Sequence, residues 1–129
     1  MITDLKVCAE NKKAYYEKGY WTDQSLNDVW NDRVAKYPDE EYVSDNLGVR
    51  LTFGEIDDKA SRLAAWLRDV GVENGDVVTF QMPPWSEFCI LYVACLKVGA
   101  VIHPLPVTFN GEDLVFGMNL VGSKAFMCP

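Results

Sequence analysis

An almost uncharged run of apolar residues, 77–106, predicts a strand, a helix and a second strand in succession. Its first part, residues 77–82, is rich in β-branched and aromatic side chains and ends at two prolines, as is typical of a buried strand. Residues 88–96 are apolar all round a helix except at Tyr92, so this helix is expected to be buried on more than one side. The pattern therefore predicts a parallel βαβ unit.

Three strands are predicted to lie parallel, at residues 77–81, 100–103 and 124–128. We expect right-handed crossovers through the two intervening helices, because nearly all such connections have that hand. Residues 41–44 and 49–51 flank a polar turn and predict an antiparallel hairpin. The predicted fold class is α/β, with parallel βαβ units, flanking helices and a small antiparallel hairpin.

Helix starts and stops are marked by residues at fixed spacings. Thr52 and Glu55 have the spacing of a capping box, and Gly71 is placed to end that helix in the left-handed conformation. Residues 108–113 predict another helix start, with Asn110 as the N-cap and Asp113 as its partner. The hairpin, the capped helix and the apolar run together form an α/β part, residues 39–129.

Residues 1–38 are predicted to form a helical leader. Residues 10–18 favour a helix, which the aromatic pair Tyr20 and Trp21 is expected to hold against the body. Ser25 begins a second helix, with Asp28 as its capping partner. One face of that helix is apolar and is interpreted as core packing: Leu26, Val29, Trp30, Val34 and Tyr37. Residues 2–7 predict an edge strand or an arm.

Composition excludes several classes of function. The 129 residues carry a net charge of -7, so a nucleic-acid or anionic-membrane partner is disfavoured. The first residues lack the basic and apolar regions of a signal peptide, and no apolar run is long enough for a transmembrane helix. The four cysteines show no zinc-ligand spacing and there is one histidine, so no metal site is predicted. Reduced thiols and a cytoplasmic location fit this pattern.

Charge is distributed unevenly along the chain. Only five of the 31 charged residues follow Asp76. Helices of a free-standing domain need polar faces, so we expect some apolar surface after Asp76 to remain exposed, and the purified chain to self-associate. Two interpretations remain open: a partner subunit covers this surface, or the rest of a longer polypeptide does.

A series of short motifs resembles the adenylate-forming superfamily, which includes the acyl-CoA synthetases. The segment Leu51-Thr52-Phe53-Gly54-Glu55-Ile56 resembles the first core motif of that family, and Leu96-Lys97-Val98-Gly99-Ala100-Val101 with Pro104-Leu105 resembles the second. Between them, Val70-Gly71-Val72, Gly75-Asp76-Val77-Val78 and Glu87-Phe88 follow at the spacing of the family. The leading segment is most similar to short- and medium-chain fatty acyl-CoA and cyclohexanecarboxylate-CoA ligases.

The resemblance implies a partial N-terminal domain, residues 1–129, of an enzyme of fatty acid metabolism. Such a ligase activates a small carboxylic acid with ATP and Mg2+ to an acyl-adenylate, releases pyrophosphate and transfers the acyl group to coenzyme A. The family's phosphate loop, ribose motif and catalytic lysine have no counterpart in this sequence. The resemblance therefore implies a fragment that is inactive alone, with no catalytic residue, cofactor or metal of its own, and with the remainder of the synthetase as its partner.

Two residues stand out as weak candidates for cofactor binding. His103 follows the second strand, where α/β proteins place functional side chains, but it has no nearby partner in sequence, so a structural role is preferred. Thr108 precedes a predicted helix start, and a helix N-terminus can bind an anion. Glu112 and Asp113 would repel phosphate there, so the structural interpretation is again preferred. A non-catalytic, partner-binding module of the same fold is the alternative function.

Overall fold

The computed structural model describes residues 7–129, so the predicted edge strand or arm at residues 2–7 lies outside the described residues except for Val7. Ten elements follow one another in that range. They are α1 (Ala9–Glu17), α2 (Leu26–Lys36), β1 (Glu41–Ser44), β2 (Arg50–Thr52), α3 (Phe53–Asp69), β3 (Val77–Gln81), α4 (Ser86–Val98), β4 (Val101–Leu105), α5 (Gly111–Val121) and β5 (Ser123–Met127). The predicted hairpin is confirmed, since β1 and β2 pair antiparallel.

The three predicted parallel strands are confirmed, with β3 in the centre and β4 and β5 on either side. The strand boundaries differ from the prediction: β4 begins one residue later and runs to Leu105, and β5 runs from Ser123 to Met127. Pro104 lies inside β4, which an edge strand allows because one of its sides needs no backbone donors. Among the described residues the sheet thus has two unpaired edges.

The central strand separates two layers. Val78 and Phe80 are fully buried in the core beside α3 and α4, and Ile102 and Met127 pack against the same cluster. Side chains alternate along a strand, so Val77, Thr79 and Gln81 point to the other face of the sheet. Gly117 of α5 lies on that second face, where an added Cβ would come within 3.4 Å of Leu105.

Helix α4 is buried on more than one side, as predicted. Five of its apolar residues are buried although they point in several directions around the helix: Leu91, Val93, Ala94, Cys95 and Val98. It ends at Gly99, whose φ of +79° is the left-handed conformation, and an added Cβ there would lie 2.5 Å from the Asn74 side-chain oxygen. Glycine is therefore required at this turn, which returns the chain to β4.

The aromatic pair after α1 does not hold this helix against the body, so that prediction is wrong. Tyr20 and Trp21 instead fold back onto α1, where the Trp21 ring meets Tyr15 and Tyr16 at centroid distances of 5.2 and 6.1 Å. The Tyr20 N–H donates to the Tyr15 carbonyl oxygen at 2.9 Å. The four rings therefore form a cluster local to α1, which has no buried residue.

The predicted core face of α2 is only partly buried. Trp30 is buried, and Val34 and Tyr37 are partly buried. Leu26 and Val29 are 63% and 42% exposed, so the prediction that they pack in the core is wrong. Helical spacing correctly grouped these residues on one face, but α3 and α4 cover only the middle of it.

One carboxylate connects the three helices around Trp30. Asp57 of α3 accepts a hydrogen bond from the indole Nε1 of Trp30 on α2 at 2.7 Å. The same oxygen lies 2.7 Å from Nζ of Lys97 on α4, with the two charged side chains only 25% and 18% exposed. We call the hydrogen bond and the ion pair together the three-helix contact, because they join α2, α3 and α4 through Asp57.

Candidate functional site

The carboxyl ends of the three parallel strands form the edge where α/β folds place ligand sites. The residues at these ends are Gln81 of β3, Leu105 of β4 and Met127 of β5, and Gln81 pairs in register with Leu105. We call this the carboxyl edge. The turn that follows β4 lies beside it and leads directly into α5.

Gln81 holds that turn through both protons of its amide. Its Nε2 donates to the carbonyl oxygens of Pro106 at 2.8 Å and Phe109 at 3.0 Å. A backbone bond from Phe109 N–H to the Pro106 oxygen, at 3.1 Å, closes the same turn. No sequence spacing indicates this role of Gln81, because residue 81 is far along the chain from residues 106–109.

His103 has a partner that the sequence analysis did not identify. Its Nδ1 lies 3.0 Å from the hydroxyl oxygen of Thr79, the residue opposite it in register on β3. Thr79 is fully buried, and the other side of the imidazole faces Gly117 of α5, where an added Cβ would lie 3.8 Å from Cε1. His103 thus lies between the sheet and α5.

Thr108 lies at the surface, in the turn held by Gln81. The helix start after it is as predicted: the Asn110 side-chain oxygen accepts from the N–H groups of Glu112 and Asp113 at 2.9 and 3.0 Å. The Asp113 carboxylate in turn accepts from the Asn110 N–H, which completes a capping box. The two candidate residues thus have different surroundings: His103 lies against Thr79 and Gly117, whereas Thr108 lies in the exposed turn before α5.

An open groove lies between α2, the hairpin and α4. Its volume is about 690 Å3. Most of its lining is apolar or aromatic: Leu26, Val29, Trp30, Tyr37, Tyr42, Phe53, Tyr92, Val93 and Leu96. Arg33 and Glu40 supply the charges. Burial raises the pKa of the Tyr42 hydroxyl, so this group is neutral at physiological pH.

The four longer helices all begin at a carboxylate or amide from within the chain. Helices α2, α3 and α5 start with capping boxes that include Asp28, Glu55 and Asp113. For α4, which has no side-chain cap of its own, the hairpin residue Asp45 accepts from the Ser86 N–H at 3.1 Å. Carboxylates at these positions would repel phosphate.

The described residues therefore do not fit a cradle for a triphosphate. Between residues 7 and 129, no three His, Cys, Asp or Glu side chains converge in a way that could bind a metal ion. No helix in the same range has the length and hydropathy needed to cross a bilayer.

The thiol of Cys95 is buried in α4, and burial raises its pKa to about 11, so it is an unreactive core residue.

Asp45 also organises the hairpin turn. Its Oδ1 accepts from the N–H groups of Leu47 and Val49 at 2.9 and 3.1 Å, while Oδ2 bonds to Ser86. Partial burial acts to raise the pKa of Asp45, but these N–H groups outweigh it and hold the pKa below the ordinary value of 3.8. One carboxylate thus joins the hairpin to the start of α4.

Replacing Asp45 by Asn should lower the free energy of unfolding at neutral pH, because an amide oxygen accepts these bonds more weakly than a carboxylate does. A group whose folded pKa is depressed contributes stability that is present above its unfolded pKa and lost as pH falls through its folded pKa. The difference between native and Asp45→Asn chains should therefore shrink below pH 3.8.

Urea unfolding of both chains between neutral and acid pH checks this expectation. Asp58→Asn is the matched control, because the Asp58 side chain is 68% exposed and forms only a surface pair with Arg62. A pH-independent difference between the native and Asp45→Asn chains would contradict the expectation.

Comparison with known proteins confirms the resemblance seen in the motifs. The profile of the family described as AMP-binding enzyme matches residues 30–129. A medium-chain fatty-acid–CoA ligase of Escherichia coli is 40% identical over 129 residues, which is 100% of this chain and 23% of that protein. A salicyl-AMP ligase / salicyl-S-ArCP synthetase of Mycobacterium tuberculosis is 34% identical over 98 residues, covering 72% of this chain and 17% of that protein.

A solved structure shows the same fold. The inhibitor-bound crystal structure of the N-terminal domain of FACL13 from Mycobacterium tuberculosis matches with a TM-score of 0.76 and 28% identity. The match covers 81% of this chain and 27% of that chain. The predicted α/β fold class is therefore confirmed both by the strand order and by this likeness.

The chain belongs to the AMP-binding enzyme family, since the family profile covers 100 of its 129 residues. It spans about a quarter of the length of the E. coli relative and less of the salicyl-AMP ligase. These relatives include both a CoA ligase and a salicyl-AMP ligase, so membership of the family does not specify the acyl acceptor.

Proposed function

We propose that this chain is the N-terminal part of an AMP-forming carboxylic acid–CoA ligase of fatty acid metabolism, inactive without the remainder of the enzyme. The single observation that carries the proposal is the 40% identity to the medium-chain fatty-acid–CoA ligase over all 129 residues. The full enzyme would work in the cytoplasm. Residues 1–38 would be its helical leader, and residues 39–129 its first α/β part.

In this proposal the chain supplies scaffold and one edge of the site. ATP and Mg2+ supply activation of the acid and coenzyme A accepts the acyl group, and these groups would be bound by the remainder of the enzyme. The occupied helix starts and the absence of converging metal ligands between residues 7 and 129 support that division. We propose that the carboxyl edge faces the remainder of the enzyme. Thr108 lies in the turn beside this edge, and His103 lies within β4.

The isolated chain should neither bind ATP tightly nor form an acyl-adenylate. The described part offers a triphosphate no ring of open N–H groups, and its net charge of -7 opposes a polyanion. Calorimetry with ATP and exchange of labelled pyrophosphate into ATP in the presence of octanoate provide the measurements. Exchange that depends on both the acid and this chain would contradict the expectation.

A hybrid enzyme tests the proposed activity directly. The quarter of the E. coli ligase that aligns with this chain is replaced by residues 1–129, and formation of octanoyl-CoA, AMP and pyrophosphate is measured. A hybrid with the corresponding segment of the salicyl-AMP ligase is the matched control for a foreign segment of the same fold. Activity in the first hybrid alone supports the proposal, and an inactive, folded first hybrid argues against it.

A partner-binding module is the second candidate, and one observation favours it. Helix α5 carries exposed apolar side chains at Val115, Phe116 and Leu120. We call these three residues the α5 apolar face. A separate partner protein could cover this face as readily as the remainder of a ligase. A stable complex with an unrelated protein through these residues, together with an inactive hybrid, would favour the module.

A further inference from the structure

The amide of Gln81 forms a clamp on the turn that follows β4. It donates one hydrogen bond to Pro106 and one to Phe109, the first and last residues of the turn 106–109. The Pro106 oxygen accepts both from Gln81 and from the Phe109 N–H, so both of its lone pairs are used. The turn is thus held to the central strand by a side chain, as well as by its own backbone bond.

The clamped turn is otherwise exposed. Val107, Thr108 and Phe109 all lie at the surface, and Asn110 starts α5 immediately afterwards. An exposed turn with one backbone bond is normally mobile, because solvent competes for its donors and acceptors. The bonds from Gln81 therefore determine where the Thr108 hydroxyl and the two flanking apolar side chains lie relative to the carboxyl edge.

We propose that Gln81 is a positioning residue: it fixes the 106–109 turn at the carboxyl edge, and so preorganises that wall of the ligase's site for its substrates. A wall ordered during folding does not have to be ordered again when a ligand binds, which favours affinity. The clamp itself stands on the observed bonds, whereas its effect on a ligase rests on the proposed function.

Hydrogen exchange in the 129-residue chain tests the clamp. Gln81→Met keeps the length of the side chain and removes its donors, and Gln81→Glu places a carboxylate against two carbonyl oxygens. Losing two hydrogen bonds should speed exchange of the Phe109 amide about tenfold or more, while core amides such as that of Leu91 keep their protection as evidence of folding.

Gln24→Met is the matched control, since the Gln24 amide donates to Asp32 at 3.2 Å on the exposed surface. In the Gln24→Met chain, the Phe109 amide should exchange at the same rate as in the native chain. Unchanged exchange at Phe109 in both folded Gln81 variants would overturn the clamp. If Gln81→Met fails to fold, the Gln81→Glu chain supplies the same readout.

Steady-state kinetics of the E. coli hybrid test the effect on the enzyme. Gln81→Met should raise KM for the acid or for coenzyme A about tenfold with kcat within about twofold, because a looser turn weakens binding rather than the chemical step. A purely structural role would lower the amount of active enzyme, and hence the apparent kcat, at unchanged KM.

The two measurements separate failure of the inference from failure of the proposed function. Unchanged KM in an active Gln81→Met hybrid would overturn the positioning role. An inactive hybrid that carries native Gln81 would overturn the proposed function and this role with it, while hydrogen exchange still decides whether Gln81 clamps the turn.

Discussion

Replacing Asp57 by Ala should lower the free energy of unfolding by about 2–3 kcal/mol, a large loss for one partly exposed residue. The change breaks the three-helix contact: it removes the acceptor of the Trp30 N–H and the counter-ion of Lys97, both at 2.7 Å. Lys97 is 18% exposed, so its charge would be left largely desolvated without a partner. Urea unfolding followed by tryptophan fluorescence measures the loss.

Three variants separate the contributions to that loss. Asp57→Asn keeps an oxygen for Trp30 and loses the charge, so it should fall between the native chain and Asp57→Ala. Adding Lys97→Met to Asp57→Ala should restore part of the stability, because the unpaired charge is then gone. The adjacent Asp58→Ala breaks only an exposed pair and should cost about 0.5 kcal/mol or less. Equal losses at positions 57 and 58 would contradict this account.

The second large effect concerns association through the α5 apolar face. Phe116 and Leu120 are 70% and 72% exposed, and Val115 beside them is 55% exposed. The 129-residue chain should self-associate and bind the dye ANS, because burying such side chains against each other is favourable by about 1.5–3 kcal/mol each. Light scattering and ANS fluorescence measure the two properties.

A charge-neutral double variant tests this face specifically. Phe116→Glu with Leu120→Lys places an acid four residues before a base, which favours the helix while removing the apolar surface. Its dissociation constant should rise by about tenfold or more. Tyr20→Lys with Leu47→Glu, at exposed apolar positions outside α5, is the control and should leave association unchanged. A strictly monomeric native chain without dye binding would contradict the expectation.

Features set by short-range spacing could be predicted from the sequence. The capping boxes at Ser25, Thr52 and Asn110 each depend on a residue three positions away, so the sequence shows both partners. The parallel strands β3 and β4 could be predicted because two apolar runs are separated by one helix length, and Gly99 marks the end of that helix. These features agree between sequence and structure because local geometry determines them.

Contacts across the sheet and between layers could not be predicted in this way. The bonds from Thr79 to His103 and from Gln81 to Phe109 span 24 and 28 residues, and both depend on the register of β3 and β4. No sequence spacing specifies that register. The expected exposure of apolar side chains after Asp76 is confirmed at Val107 and Phe126, which are 56% and 38% exposed. The sequence did not single out the α5 apolar face, because its exposure depends on how the layers pack.

The carboxylates at the helix starts bear on how such a segment can change during evolution. In α2, α3 and α5 the N-cap residue and its capping partner are three residues apart. The start of α4 is capped by Asp45, which is 41 residues from Ser86 but within the same α/β part. A segment that satisfies its own helix ends can be recombined between longer proteins without new residues in the recipient. Inheritance as a block would let the fold stay constant while the chemistry attached to it diverges.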